Sequence, residues 1–182
     1  MNPQPVIETA RLRLRPYVPE DAPTLMALAG AREIADTTIS VPHPFDDAAA
    51  RDWIATHSDL WTRGAGAGYA LAERADGTLV GSIVLRDVDR EHRQAELSFW
   101  VGVPFWGRGY AHEAVEAVVD LAFGTLDLNR LYAHHMVRNP ASGRVLEKAG
   151  FRREGLLRQR VRKWGVYEDV VLLALLRADQ RP

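Results

Sequence analysis

Polar and apolar residues alternate from Arg11 to Arg15, with Leu12 and Leu14 between arginines, the period-two pattern of a strand with one buried face. Pro19, Glu20 and Asp21 then open an apolar helical pattern through Leu25, Leu28 and Ala29, the acidic residues suiting the positive end of a helix. Pro42 and Pro44 around His43 predict a loop before a second helix, which begins at Asp46 and carries Ala49, Trp53, Ile54 and Leu60. After Gly64, Gly66 and Gly68, the runs Tyr69 to Glu73 and Leu79 to Leu85 flank Asp76-Gly77, a hairpin signal. Gln94 to Val101 completes an antiparallel meander.

From Arg108 to Phe123 the period becomes helical, with Ala111, Ala114, Val115, Val118 and Ala122 on one face, and the longest helix is expected here. Leu131 to Val137 reads as a strand. Asn139-Pro140 starts a short helix whose Val145, Leu146 and Ala149 lead to Gly150. Arg153 to Lys163 and Val166 to Leu176 read as two final strands joined near Trp164-Gly165. This order is mixed α/β rather than strict βαβ alternation, and it predicts one domain over residues 1–182: a mixed, mostly antiparallel sheet with helices on both faces.

Composition narrows the function classes. The 182 residues, 47% hydrophobic, supply a real core, and a formal net charge of -1 gives no general attraction to nucleic acid or anionic membrane. With no cysteine there is no disulfide framework, thiolate metal site or cysteine nucleophile. No apolar run reaches the ~18 residues of a membrane span, and Met-Asn-Pro-Gln-Pro lacks the basic and apolar regions of a signal peptide. A cytoplasmic protein is the expectation, and a homodimer stays open.

The stretch that carries chemistry runs from Ala95 to Ala114, a strand followed by Val103-Pro104-Phe105-Trp106-Gly107-Arg108-Gly109-Tyr110-Ala111 and a long helix. Unpartnered amides at a glycine-rich helix N-terminus, together with the helix dipole, make an anion site, and Arg108 can add a charge-assisted contact. A Walker loop needs Gly-Lys-Ser/Thr at the helix start, and the dinucleotide fingerprint needs a Gly or Ala three positions after its second glycine. Gly109 is followed by Tyr110, Ala111 and His112, so neither fits.

The run Glu96-Leu97-Ser98-Phe99-Trp100-Val101 followed by Trp106-Gly107-Arg108-Gly109-Tyr110-Ala111-His112-Glu113-Ala114 resembles the acetyl-CoA-binding core of the GNAT N-acetyltransferases. Asn139 to Phe151 is similar to the RimJ/RimL branch, which acetylates N-termini of ribosomal proteins, and the likeness spans nearly the whole chain. There are two departures. Trp106 stands where the general phosphate loop starts with Gln or Arg, although an aromatic is common in this branch, and Leu146 stands where many members carry a thiolate-protonating tyrosine.

The resemblance implies acetyl-CoA as co-substrate, no metal, and amides of Arg108 to Ala111 around the pyrophosphate, with Trp106 and Gly107 in the same loop. It implies splayed parallel strands whose edge at Trp100 and Val101 pairs with the pantetheine arm, since splaying leaves backbone N-H and C=O groups unpaired. Packing explains the two tryptophans equally well. It also places Asn139 and Ser142 beside pantetheine and sulfur, although helix capping accounts for both residue types. Arg144 reads as a solvated helix residue with phosphate contact as the alternative.

Glu96 is the carboxylate that the resemblance puts in position to take a proton from the amine, directly or through water. It shares a face with Ser98 and Trp100, and an ordinary carboxylate needs burial or a relay to serve as a base towards an ammonium. His134 and His135 point to opposite faces and make no metal pair. His43 is a candidate for the acceptor site, and His112 approaches phosphate. The expected reaction is direct attack of a neutral amine on bound acetyl-CoA, most simply by an α-amine of a protein or peptide. The alternatives are a small amine (amino acid, polyamine or aminoglycoside) and a CoA-binding module without catalysis.

Overall fold

The computed structural model describes residues 3–180. The outermost positions of the expected 1–182 domain, including the first two of Met-Asn-Pro-Gln-Pro, lie outside the described residues. Its elements run β1 (Ile7–Glu8), β2 (Leu12–Arg15), α1 (Ala22–Ala29), α2 (Arg32–Thr37), α3 (Asp47–Thr62), β3 (Ala67–Glu73), β4 (Leu79–Asp89) and β5 (Gln94–Val101). After these come α4 (Tyr110–Asp120), β6 (Arg130–Met136), α5 (Pro140–Lys148), β7 (Arg152–Lys163) and β8 (Val166–Leu176). The eight strands form one sheet in the order β1-β2-β3-β4-β5-β6-β8-β7.

All neighbours are antiparallel except β5 and β6, and that exception creates the site. These two strands pair only at Gln94 with Arg130, Ala95 with Leu131 and Glu96 with Tyr132. Beyond Glu96 they part, so the last residues of β5 face an opening with ladder groups free of β6. The alternation of β5 then sends Leu97 and Val101 into a core with α4 and α5, and Trp100 into a second core with α1, α2 and α3. Because each face is covered by its own helical layer, the split between β5 and β6 opens into the interior between layers.

Two helices differ from the sequence reading. The segment expected to be loop before Pro42 contains α2, whose Ile34 and Ala35 are buried. It begins without a side-chain cap, and at its end the Thr37 hydroxyl donates back to the Glu33 carbonyl and that of Thr38 to the Ile34 carbonyl, each at 2.7 Å, so its sequence carries few boundary signals. The longest helix is α3, with 16 residues; Asp46, where the second helix was expected to begin, is its cap and accepts from Ala49 N at 2.9 Å. Helix α4 has 11 residues, because a wider turn over Leu121–Thr125 takes its place, closed by Leu126 N donating to Leu121 O at 3.0 Å. No helix among the described residues is long and apolar enough to cross a membrane.

Candidate active site

The chain leaves β5 through Gly102 and reaches α4 by a loop with two left-handed glycines, Gly107 at φ 76° and Gly109 at φ 80°. Gly109 is the N-cap of α4. The first helical bond there runs from Glu113 N to Gly109 O, so the amides of Tyr110, Ala111 and His112 precede it without intrahelical partners. Arg11 braces this turn: Nη1 donates to Arg108 O at 2.8 Å, and Nε donates to Glu113 Oε2 at 2.7 Å. Burial opposes the charge on Glu113, but hydrogen bonds from Thr9 and Arg11 outweigh it and hold the carboxyl below its usual range.

A groove of about 500 Å³ runs from this turn to the split between β5 and β6. Trp100, Val101, Trp106, Gly107, Gly109, Tyr110, Ala111, His112, Asn139, Ser142 and Arg144 line it, which unites most of the residues expected around the cofactor. Arg108 is the exception. Its guanidinium leans over the Phe105 ring at 5.3 Å and lies 4.0 Å from Glu73. Tyr110 likewise turns its ring inward and donates its hydroxyl to Glu73. Trp106 lies half exposed and its indole donates to Val101 O at 2.6 Å, so the expected edge at Val101 already has one acceptor site occupied.

At the far end of the groove, Asn139 caps α5 and ties it to α2. Its amide oxygen accepts from Ser142 N at 3.4 Å, while Nδ2 donates to Thr37 O and to Ser142 Oγ, each at 3.0 Å. Asn139 is thus fully used in positioning. Ser142 gains an oriented oxygen and keeps its own hydroxyl proton to donate. The helix can come this close to β6 because position 143 is glycine, where a Cβ would stand 2.7 Å from His135 Nε2.

Ser142, Phe99, Trp100, Thr37 and Thr38 also line a second, adjoining cavity of about 50 Å³. Its wall holds Glu96, whose Oε1 lies 3.0 Å from Arg86 Nη2 and 3.3 Å from His134 Nδ1. Burial works against the charge on Glu96, but the hydrogen bonds from His134 and Arg86 and the charge of Arg86 overcome it and bring its pKa to about 2. Burial beside Trp100 therefore does not raise the carboxyl into a basic range. Trp100 is itself buried, and its indole N-H has no partner among the described residues.

His43 does not join the cavity wall. Its ring meets the edge of Trp164 at 5.6 Å, and the wall on that side is made by residues from Thr37 to Val41. His134 and His135 do point to opposite faces, and His134 is held by Glu96. Arg86 and Trp53 were missed from the sequence. Arg86 was readable in principle, because the hairpin register sets it directly opposite Glu96. Trp53 comes from α3, and nothing in its helical spacing announced that it would line a cavity.

Residues 11–152 match the acetyltransferase (GNAT) domain family. The chain belongs to the GNAT acetyltransferase family. It is 32% identical over 172 residues to an uncharacterized N-acetyltransferase of Bacillus licheniformis, covering 94% of this chain and 96% of that protein. Some relatives have named acceptors. The spermidine N(1)-acetyltransferase of Vibrio cholerae is 30% identical over 59% of this chain and 62% of its own length. An alanine N-acetyltransferase of ribosomal protein uS5 from Escherichia coli is 31% identical over 47% of this chain and 44% of its own length. Among solved structures, RimL, a ribosomal α-N-protein acetyltransferase in complex with coenzyme A, superposes with a TM-score of 0.88 at 20% identity, covering 97% of this chain and 100% of that one.

The protein is therefore a GNAT N-acetyltransferase whose reaction is acetyl transfer. Acetyl-CoA as co-substrate is supported by the family match and by the glycine turn at the head of α4. The groove and the small cavity meet at Ser142 and Trp100, which is the arrangement a two-substrate transfer needs.

Proposed function

We propose that this GNAT enzyme, over its full 182 residues, acetylates the α-amine of a peptide or protein N-terminus by direct attack within a ternary complex. The observation that carries this reading is the charge inventory of the small cavity. Glu96 is the single carboxylate among its described lining residues, and Arg86 and His134 already engage it. A polyamine brings several ammonium groups that need anionic partners once desolvated. An N-terminal residue brings one, and it arrives with neutral amides that Ser98, Thr37 and Thr38 can meet.

The chemistry points the same way. An α-amine, pKa about 7.7 to 8.0, is already about one tenth free base at pH 7, whereas lysine near 10.4 is rarer in that form by two to three powers of ten. A site whose carboxylate titrates near 2 supports the first acceptor better than the second. The groove holds the acetyl thioester, the Glu96-His134 pair serves the departing proton, and Ser142 supplies the acid that Leu146 does not. The relatives acting on spermidine and on a ribosomal protein leave both acceptor classes within the family.

The deciding measurement is kcat/KM for a short peptide with a free N-terminus, for the same peptide blocked at that end with a lysine left free, and for spermidine and an aminoglycoside. The expected order puts the free N-terminus first. Preference for the blocked lysine peptide or for spermidine would defeat the acceptor assignment.

A further inference from the structure

We infer that His134 is the group that takes the proton from the acceptor amine, and that Glu96 is a positioning residue that acts through it. The inference rests on the transfer reaction proposed above and concerns the same cavity. An ionised carboxylate can only accept hydrogen bonds, so His134 Nδ1, 3.3 Å from Glu96 Oε1, carries the ring proton. That fixes the tautomer and leaves Nε2 with a lone pair and no protein partner among the described residues. His134 lines the cavity into which the amine must come, with its side chain 16% exposed.

Glu96 is badly placed to take the proton itself. Both of its oxygens receive the Arg86 guanidinium, Oε1 at 3.0 Å and Oε2 at 3.3 Å. Its low pKa agrees with that geometry. The same negative charge, one hydrogen bond from the ring, stabilises the imidazolium that forms, which is how a carboxylate assists a histidine base. Around His134 stand Tyr132 of its own strand, whose ring meets it edge-on at 5.8 Å, the uncharged Leu172 opposite it on β8, and His135, which lines the same cavity but bonds through Nδ1 to Met136 O at 2.8 Å and turns its Nε2 towards Gly143 of α5. Helix α2 faces the cavity with the neutral Thr37 and Thr38, and its nearest charge, Asp36, is occupied by Arg138.

The step balances as follows. Nε2 removes one proton from the ammonium, and the freed electron pair forms the C-N bond at the acetyl carbonyl. The C-S bond breaks with its pair on sulfur. A second proton, lost from the nitrogen, reaches sulfur through the Ser142 hydroxyl, while the imidazolium returns its proton to solvent.

The test uses whichever amine the wild-type enzyme turns over best, with kcat/KM measured from pH 6 to 9.5 for wild type, His134→Gln and Glu96→Gln. Acetyl-CoA affinity by calorimetry and thermal melting report whether each variant is intact. In wild type kcat/KM should rise with pH. His134→Gln should fall about tenfold at pH 7 with an α-amine, move its rise to the pKa of the amine, and approach wild type at high pH. Glu96→Gln should keep the wild-type form of the profile and lose less activity than His134→Gln, because the histidine still takes the proton. A His134→Gln profile that overlays wild type, or a Glu96→Gln loss larger than that of His134→Gln, overturns the inference. If a lysine peptide or spermidine is the best acceptor and the histidine signature persists, only the acceptor assignment falls. Wild type without turnover on any amine overturns both.

Discussion

Asn139 donates through Nδ2 to Ser142 Oγ at 3.0 Å, and the same amide group holds Thr37 O, so one side chain fixes both the start of α5 and the end of α2 around the candidate acid. The arrangement separates positioning from chemistry. Ser142→Ala should lower kcat about tenfold or more while acetyl-CoA affinity moves little, because the hydroxyl acts on the leaving sulfur and not on the bound thioester. Asn139→Ala should instead lower stability by about 1 kcal/mol through the lost cap. Steady-state kinetics and thermal melts on the two variants separate these effects, and an unchanged kcat in Ser142→Ala would leave water as the acid.

The glycine turn gives a graded prediction. Gly107 and Gly109 both have positive φ, but a Cβ at Gly107 meets nothing within 4 Å whereas one at Gly109 comes 3.4 Å from Arg11 Nη2. Gly107→Ala should therefore cost only the left-handed backbone, about 1 to 2 kcal/mol. Gly109→Leu should add a bulky group at the amides that open α4 and weaken acetyl-CoA by at least about tenfold, with a native far-UV circular dichroism spectrum. Calorimetric affinities of the two variants check the order.

Glu96 makes stability depend on acid. Its folded pKa, about 2, lies below the ordinary 4.5, so its contribution is present above pH 4.5 and is lost as pH falls towards 2. The difference sets an upper limit of about 3 kcal/mol. Glu96→Gln should melt below wild type at pH 6, and the gap should close on acidification. A gap that persists unchanged at pH 2.5 would show that packing, not charge, explains the loss.

Most of the scaffold was legible because its signals are local. Asp46, Asn139-Pro140 and Asp76-Gly77 mark boundaries by their own backbone chemistry, and the alternation of Gln94 to Val101 needs no tertiary information. What escaped depends on contacts across the chain. Helix α2 is held by Asn139 and Arg138, each 102 positions from its partner, and has no cap of its own. The pairing of Arg86 with Glu96 follows from register, and His134 reaches Glu96 only because β6 joins β5 in parallel at Tyr132. His43 was chosen for its flanking prolines, a signal of loop and not of direction, and its ring turned to Trp164.

The wall of the small cavity between Thr37 and Val41 is tethered from outside, and the tethers should govern acceptor binding. Asp36 is their hub: Oδ2 accepts from Arg138 Nη1 at 2.9 Å, and Oδ1 accepts from Trp164 Nε1 at 2.7 Å on the β7-β8 turn. Arg138 also donates to Glu168 at 2.8 Å, and Lys163 reaches Val41 O at 3.1 Å. Hydrogen bonding from Trp164 leads the causes that hold the Asp36 carboxyl below its usual range, so it stays ionised throughout the pH range of catalysis. The ion pair is too exposed to matter much for global stability, with side chains 34% and 41% accessible. Its effect should therefore appear in binding. Asp36→Ala should release the segment from both the turn and Arg138, raise KM for the acceptor about three- to tenfold, and change the melting temperature by no more than about 2 °C. Because Thr37 and Thr38 also border the cofactor groove, acetyl-CoA affinity is the control. An equal loss for both substrates would mean that Asp36 supports the whole split between β5 and β6, while a selective loss for the acceptor assigns this segment to recognition of the amine.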